Sequence, residues 1–123
     1  MPTSDPRGGY HTITPRIVVD DVPAQAAFLR AVFGATGDLD PSRPVEMRIG
    51  DSVLMISSTR ERPAFPAFLY VYVDDVDATF ERAISAGAAT IEAPLDTPYG
   101  DRRAMVSDTF GNVFQIARPI TTD

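Results

Sequence analysis

The chain has 123 residues, 44% hydrophobic and 23% charged, with a formal net charge of −6 at neutral pH. This composition suits one folded domain with a buried core and argues against wholesale disorder, while the acidic balance opposes the basic, counterion-releasing surface that nucleic-acid binding requires. No apolar run approaches the roughly 20 residues that span a bilayer, and the polar start carries no signal-peptide core, so the reading is no membrane partner and a cytoplasmic location.

The residues that are missing narrow the chemistry further. There is no cysteine, which removes disulfides, thiolate nucleophiles and cysteine metal sites. The 11 basic residues are all arginine, which removes lysine Schiff bases, and the single imidazole, His11, cannot build a histidine-rich metal site within one chain.

In chain order, residues 1–10 read as a flexible leader rich in loop formers. Thr12 to Val19 reads as a strand, with Ile13, Pro15, Ile17 and Val19 on one face and Thr14, Arg16 and Val18 on the other. Pro15 lacks an N–H and marks an edge or a bulge. Asp21 is the expected cap of a helix whose apolar stripe is Val22, Ala26, Leu29 and Phe33, ended by Gly34. A loop follows, then two strands, Val45 to Ile49 and Ser52 to Ser57, turned through Gly50-Asp51. Thr59 to Pro66 is a linker of prolines and charges, a candidate flap.

The same plan then recurs, because Val19-Asp20-Asp21-Val22 returns as Val73-Asp74-Asp75-Val76. Ala67 to Val73 reads as a strand with Phe68, Tyr70 and Tyr72 on one face and Leu69, Val71 and Val73 on the other. Asp75 caps a helix with the stripe Val76, Phe80, Ala83 and Ile84. Thr90 to Ala93 is a short strand, Pro94 to Asp101 a loop, and Arg102 to Ser107 with Asn112 to Ala117 a hairpin turned through Asp108-Thr109-Phe110-Gly111-Asn112. Residues 119–123 form a tail.

These segments resemble the vicinal oxygen chelate superfamily, which comprises the glyoxalase, bleomycin-resistance and dioxygenase proteins. The resemblance rests on Thr14 to Asp21, Phe33-Gly34-Ala35, Gly50 to Met55, Pro98 to Arg102 and Asp108 to Asn112, and within the superfamily it points to small PhnB-like or bleomycin-resistance-like proteins. It implies an α+β fold of two paired βαβββ modules, about 11–58 and 67–118 joined by 59–66, whose curled mixed sheet surrounds a cavity. Helices would cover the Ile17, Val19, Leu69, Val71 and Val73 faces, leaving Thr14, Arg16, Phe68, Tyr70 and Tyr72 to look inward; a one-residue register slip would exchange the sets.

By the same resemblance, members that use a metal draw ligands from the first and a late strand of each module, usually His or Glu. Counting back from Asp21 and Asp75 lands on Thr14 and Phe68. Counting forward from Gly111 and Gly50 lands on Gln115 and on Leu54 or Met55. None is a carboxylate or an imidazole, so neither a metal nor another cofactor is expected, and His11 reads as an ordinary surface residue.

The expected ligand-binding set is Thr14, Arg16, Met55, Phe68, Tyr70, Tyr72, Met105 and Gln115, with an apolar and aromatic surface suited to a planar organic molecule. The competing reading is that the aromatic and Met side chains only fill a core, and that Arg16 pairs with Glu46. Glu46, Asp101, Tyr70 and Tyr72 are the groups available for proton transfer, though no spacing singles out a pair. Three functions stay open: a metal-independent protein that binds or sequesters an aromatic metabolite or antibiotic, a metal-free isomerase or lyase of secondary metabolism, and a domain serving assembly. A homodimer is expected under each.

Overall fold

A computed structural model describes residues 10–40, 42–60 and 62–120. The chain divides into two compact units, Met1–Arg30 with Gly34–Phe65, and Ala31–Phe33 with Pro66–Asp123. Nine elements follow in order: β1 Arg16–Val19, α1 Val22–Phe33, β2 Val45–Ile49, β3 Ser52–Ser58, β4 Phe68–Tyr72, α2 Val76–Ser85, β5 Ala89–Asp96, β6 Asp101–Ser107 and β7 Val113–Pro119. The fold is α+β, with two mixed sheets ordered β1-β3-β2 and β4-β7-β6-β5.

The repeat seen in the sequence is a repeat of strand pairing. In each unit the first strand runs parallel to the last, β1 to β3 and β4 to β7, and the last pairs antiparallel with its predecessor. A parallel pair cannot be joined by a tight turn, so a helix makes the crossover. Both helices start on the second Asp of the repeated motif: Asp21 accepts a hydrogen bond from the Ala24 amide and Asp75 one from the Ala78 amide, each at 3.0 Å, satisfying an amide that a helix start leaves unpaired. The preceding Asp residues diverge. Asp20 accepts from the Thr59 hydroxyl at 2.7 Å, whereas Asp74 offers its backbone carbonyl to Arg118 at 2.6 Å.

The halves differ where the first lacks a strand. The second unit has β5 between helix and hairpin; at the matching place the first has a bridge, Thr36 to Arg48. Gly37 follows at φ 149°, and a Cβ there would lie 2.2 Å from the Glu46 carbonyl oxygen, so the backbones approach more closely than a side chain permits. Gly34 ends α1 at φ 68°, with its amide turned back to the helix.

In the second unit α2 lies against β5, β6 and β7. Its buried residues, Val76, Thr79 and Ala83, are small enough to permit close approach, and Ala104, Val106, Phe114 and Ile116 of the sheet are fully buried. The buried stripe takes in Thr79 and leaves the expected Ile84 exposed; the Thr79 hydroxyl donates to the Asp75 carbonyl at 2.8 Å and accepts from Arg82 at 3.0 Å, so its burial leaves no unmatched polar group. The alternating set Ile17, Val19, Val45, Met47, Leu54 and Ile56 forms the buried face of the first sheet.

Several expected boundaries change. β1 begins at Arg16 instead of Thr12, since Pro15 contributes only its carbonyl, to the Met55 amide at 2.9 Å, and Ile13 is exposed. Val18, assigned to the open face, is buried: Phe65 of the linker bridges it through two backbone hydrogen bonds of 3.0 and 3.4 Å, so this end of the expected flap is tied to β1. β5 runs for eight residues, through Pro94, and the following loop shrinks to a turn at 97–100. Of two register shifts in β5, the one between Glu92 and Leu95 spans the proline. At the C-terminal end β7 extends to Pro119, and the Ile120 amide bonds the Gly100 carbonyl at 2.7 Å. Residues 1–9 of the expected leader and 121–123 of the tail lie outside the described residues, and Tyr10 is buried. No described helix is long and apolar enough to cross a membrane.

The Asp108-Thr109-Phe110-Gly111-Asn112 turn holds the second unit together at one end. Asp108 accepts from the amides of Phe110 and Asn112 and from the Asn112 side chain, each at 2.9 Å, while Asn112 Oδ1 accepts from the Ala67 amide at 2.8 Å. Both residues are buried, so every bond replaces water that cannot enter. Asn112→Ala strands the Ala67 amide and part of the Asp108 carboxylate, and is expected to cost about 1–3 kcal/mol in a urea melt; an unchanged midpoint would contradict the clamp.

Candidate functional site

α2 covers one face of the second sheet, and alternation along the strands assigns the other face. Tyr70, Gln115, Met105 and Glu92 form one cross-strand row through β4, β7, β6 and β5, with Phe68, Val113 and Ser107 in the next row, and Tyr72, Ala117, Arg103 and Leu95 in the one after. On β4, Phe68 is 66% exposed, Tyr70 39% and Tyr72 62%, so these rings do not fill a core. Five of the eight expected site residues, Phe68, Tyr70, Tyr72, Met105 and Gln115, therefore share this face, which α2 leaves uncovered.

Polar groups are set among the rings. The Tyr70 hydroxyl donates to Asp101 Oδ2 at 2.6 Å, bringing together two of the groups available for proton transfer, and the Tyr70 and Tyr72 rings meet at a centroid distance of 5.3 Å, tilted by 59°. Arg103 donates from Nε and Nη2 to Glu92 Oε1, each at 2.9 Å, and from Nη1 to the Tyr99 hydroxyl, with its guanidinium 5.8 Å from the Tyr99 ring centroid. The hydrogen bond to Glu92 raises the Arg103 pKa above the usual arginine value, so it stays cationic.

Glu92 and Tyr99 lie outside the expected site set. Counting along β5 could not place Glu92, because register shifts flank it on both sides; Tyr99 stands in the turn that a longer loop was expected to contain. Arg102, adjacent in sequence, serves structure instead. It pairs with both Asp77 oxygens at 2.8 and 3.0 Å and with Asp96 at 2.9 Å, tying β6 to α2 and β5, and the Asp77 carboxyl is held below its usual pKa by Arg102.

In the first unit the equivalent row is Arg16, Met55 and Glu46. Arg16 stands as far before Asp21 as Tyr70 does before Asp75, and Met55 matches Gln115 through the pairing. Leu54, the alternative to Met55, is excluded by its burial on the opposite face. Arg16 donates to Met55 Sδ at 3.1 Å and meets no described carboxylate, so it does not pair with Glu46. Thr14 is half-buried ahead of β1, and His11 is exposed. No group of three or more Asp, Glu, His or Cys residues suited to a metal ion occurs among the described residues.

Each unit thus joins a parallel strand pair through a helix, and in the second unit α2 leaves one face of the sheet uncovered. The chain belongs to the Glyoxalase/Bleomycin resistance protein/Dioxygenase superfamily, whose model matches residues 9–116. It is 31% identical over 109 residues to a Mycobacterium bovis protein named "Putative glyoxylase CFP32", covering 84% of this chain and 42% of that one. The anthracycline biosynthesis protein DauV of Streptomyces sp. strain C5 is 33% identical over 111 residues, 81% of this chain and 38% of that one. The chain thus spans about two fifths of the length of these relatives. Among solved structures, a family enzyme from Burkholderia phytofirmans superposes with a TM-score of 0.74 at 26% identity, covering 91% of this chain and 98% of that one. TioX from Micromonospora sp. ML1 shares the fold at 23% identity and a TM-score of 0.72, covering 90% of this chain and 98% of that one.

Desolvation, followed by the hydrogen bond to Asp101, pushes the Tyr70 pKa up from 10.0 to about 12. Because the folded value exceeds the unfolded one, the stability contributed by the neutral phenol is fully present below pH 10.0 and is lost as pH rises through about 12. Ultraviolet titration should show one tyrosinate forming near pH 12 that Tyr70→Phe removes and Asp101→Asn moves down; a late transition that survives Tyr70→Phe would contradict this.

Proposed function

We propose that this protein binds a planar aromatic small molecule on the uncovered face of its second sheet, without a metal ion, and so sequesters it. The observation that carries the reading is the line of Phe68, Tyr70 and Tyr72 standing open to solvent on the face that α2 leaves free. Rings offer stacking area at low conformational cost, the Met105 thioether adapts to the ligand outline, and Gln115 supplies both a donor and an acceptor. A relative named for anthracycline biosynthesis supports a fused-ring ligand. The metal-free reading rests on the donor set, because Thr14, Met55, Phe68 and Gln115 give no carboxylate or imidazole to a divalent cation.

A second reading, a metal-free isomerase or lyase, draws on one observation. Tyr70 keeps its proton up to about pH 12 and touches Asp101 at 2.6 Å, a donor and an acceptor on one ligand-facing surface. A homodimer remains the expected assembly under both readings, and the exposed Phe68 and Tyr72 support a partner surface.

Fluorescence titration with doxorubicin and a panel of aromatic metabolites tests the first reading. A binding ligand should lose about tenfold in affinity on Tyr72→Ala, since an aromatic contact is worth roughly 1–1.5 kcal/mol. Metal analysis should find under about a tenth of an equivalent of Zn, Ni, Fe or Mn. No binding by any compound, or indifference to Tyr72→Ala and Phe68→Ala, would overturn it, while turnover abolished by Tyr70→Phe at unchanged affinity would select the enzyme.

A further inference from the structure

The first unit contains a cavity of about 600 Å³ between the loop after α1, the start of α1 and the end of β3. That volume lies within the range of small-molecule sites, roughly 300–1,000 Å³. Its walls combine two kinds of surface. Val22, Pro23, Leu39, Pro44, Val45 and Ile56 supply apolar area, and Arg16, Arg43, Arg60 and Arg62 bring guanidinium groups to it.

Among the described residues the charges lining the cavity are not matched. Asp20 and Asp40 also line the cavity, so the described lining sets four arginines against two carboxylates. Asp20 already accepts the Thr59 hydroxyl, and Asp40 the Ser42 amide and hydroxyl with Arg43 at 3.3 Å. Among the described residues Arg60 and Arg62 form no ion pair, and Arg16 has only the Met55 thioether, a weak acceptor, at 3.1 Å. Ser57, on the same wall, has a buried Oγ with no hydrogen-bond partner among the described residues. An unmatched buried hydroxyl calls for a ligand or solvent partner. Among the described residues these donors share one deficit, a negatively charged acceptor, in a chain whose net charge of −6 points the other way.

We propose that this cavity binds an amphiphilic organic anion, a carboxylate carried on an apolar body. The carboxylate takes charge-assisted hydrogen bonds from Arg16, Arg60 and Arg62, for which guanidinium geometry is suited. The body lies on Val22, Pro23, Leu39 and Pro44, whose burial supplies most of the affinity. The site lies wholly within the first unit and is independent of the aromatic face of the second.

Two probes of one shape test it: octanoate and its neutral counterpart octanamide, titrated into the full chain and followed by amide NMR. Octanoate should shift the amides of Val22, Leu39, Ser57 and Ser58, and bind about tenfold more tightly than octanamide, as expected for charge-assisted bonds. The exposed double substitution Arg60→Gln and Arg62→Gln should remove that preference with the spectrum otherwise unchanged, and Tyr72→Ala should not affect it. Failure of octanoate to bind, equal affinity for acid and amide, or shifts confined to β4, β6 and β7 would each overturn the proposal, without bearing on whether the aromatic face binds a fused-ring ligand.

Discussion

The pairing of each module's first strand, in parallel, with its last is the constraint on which the rest depends. Antiparallel neighbours can be joined by two residues, but a parallel pair requires a long crossover, and here a helix supplies it. In the second unit that helix can cover only one face of its sheet. The alternation of side chains then fixes the consequence: Phe114, Ile116, Ala104 and Val106 go under α2, and Tyr70, Gln115, Met105 and Arg103 must stand on the other side. The candidate site is the face that the crossover leaves uncovered.

Equivalent positions in the two modules have taken different chemistry. Where the second unit has Tyr70 beside Gln115, the first has Arg16 beside Met55. Where the second has an eight-residue β5, the first keeps only the Thr36 bridge and a loop that borders an arginine-lined cavity. One half thus offers rings and a tyrosine–carboxylate pair, the other guanidinium groups over apolar side chains, of which Arg16, Arg60 and Arg62 have no carboxylate partner among the described residues. The caps at Asp21 and Asp75 make the same bond, to the amide three residues on at 3.0 Å, because the crossover needs the same start in both.

Much of this was legible in the sequence, for reasons that can be named. The doubled Val-Asp-Asp-Val marked both helix starts, since a capping carboxylate is a local requirement that local residues reveal. The alternation in Phe68 to Tyr72 assigned the open face, because side-chain period is fixed by the pleat. What the sequence hid depends on distant partners. Val18 is buried and bridged to Phe65, 47 residues on, and the irregular register of β5 brings Glu92 to Arg103 despite Pro94. Arg102 and Arg103, adjacent and chemically identical, serve opposite faces, one bracing α2 and one facing the rings. The arginine-lined cavity drew on residues from four separated segments, and no spacing rule connects those.

The chain belongs to the Glyoxalase/Bleomycin resistance protein/Dioxygenase superfamily, and the face that α2 leaves uncovered carries rings and hydrogen-bonding groups. The claim that the face of β4 and β7 is where a fused-ring ligand sits is tested most directly by amide NMR of the protein titrated with doxorubicin. Saturable shifts concentrated on Phe68 to Tyr72 and Val113 to Ala117 are the expected result. Shifts confined to α2, or to the first unit, would contradict it.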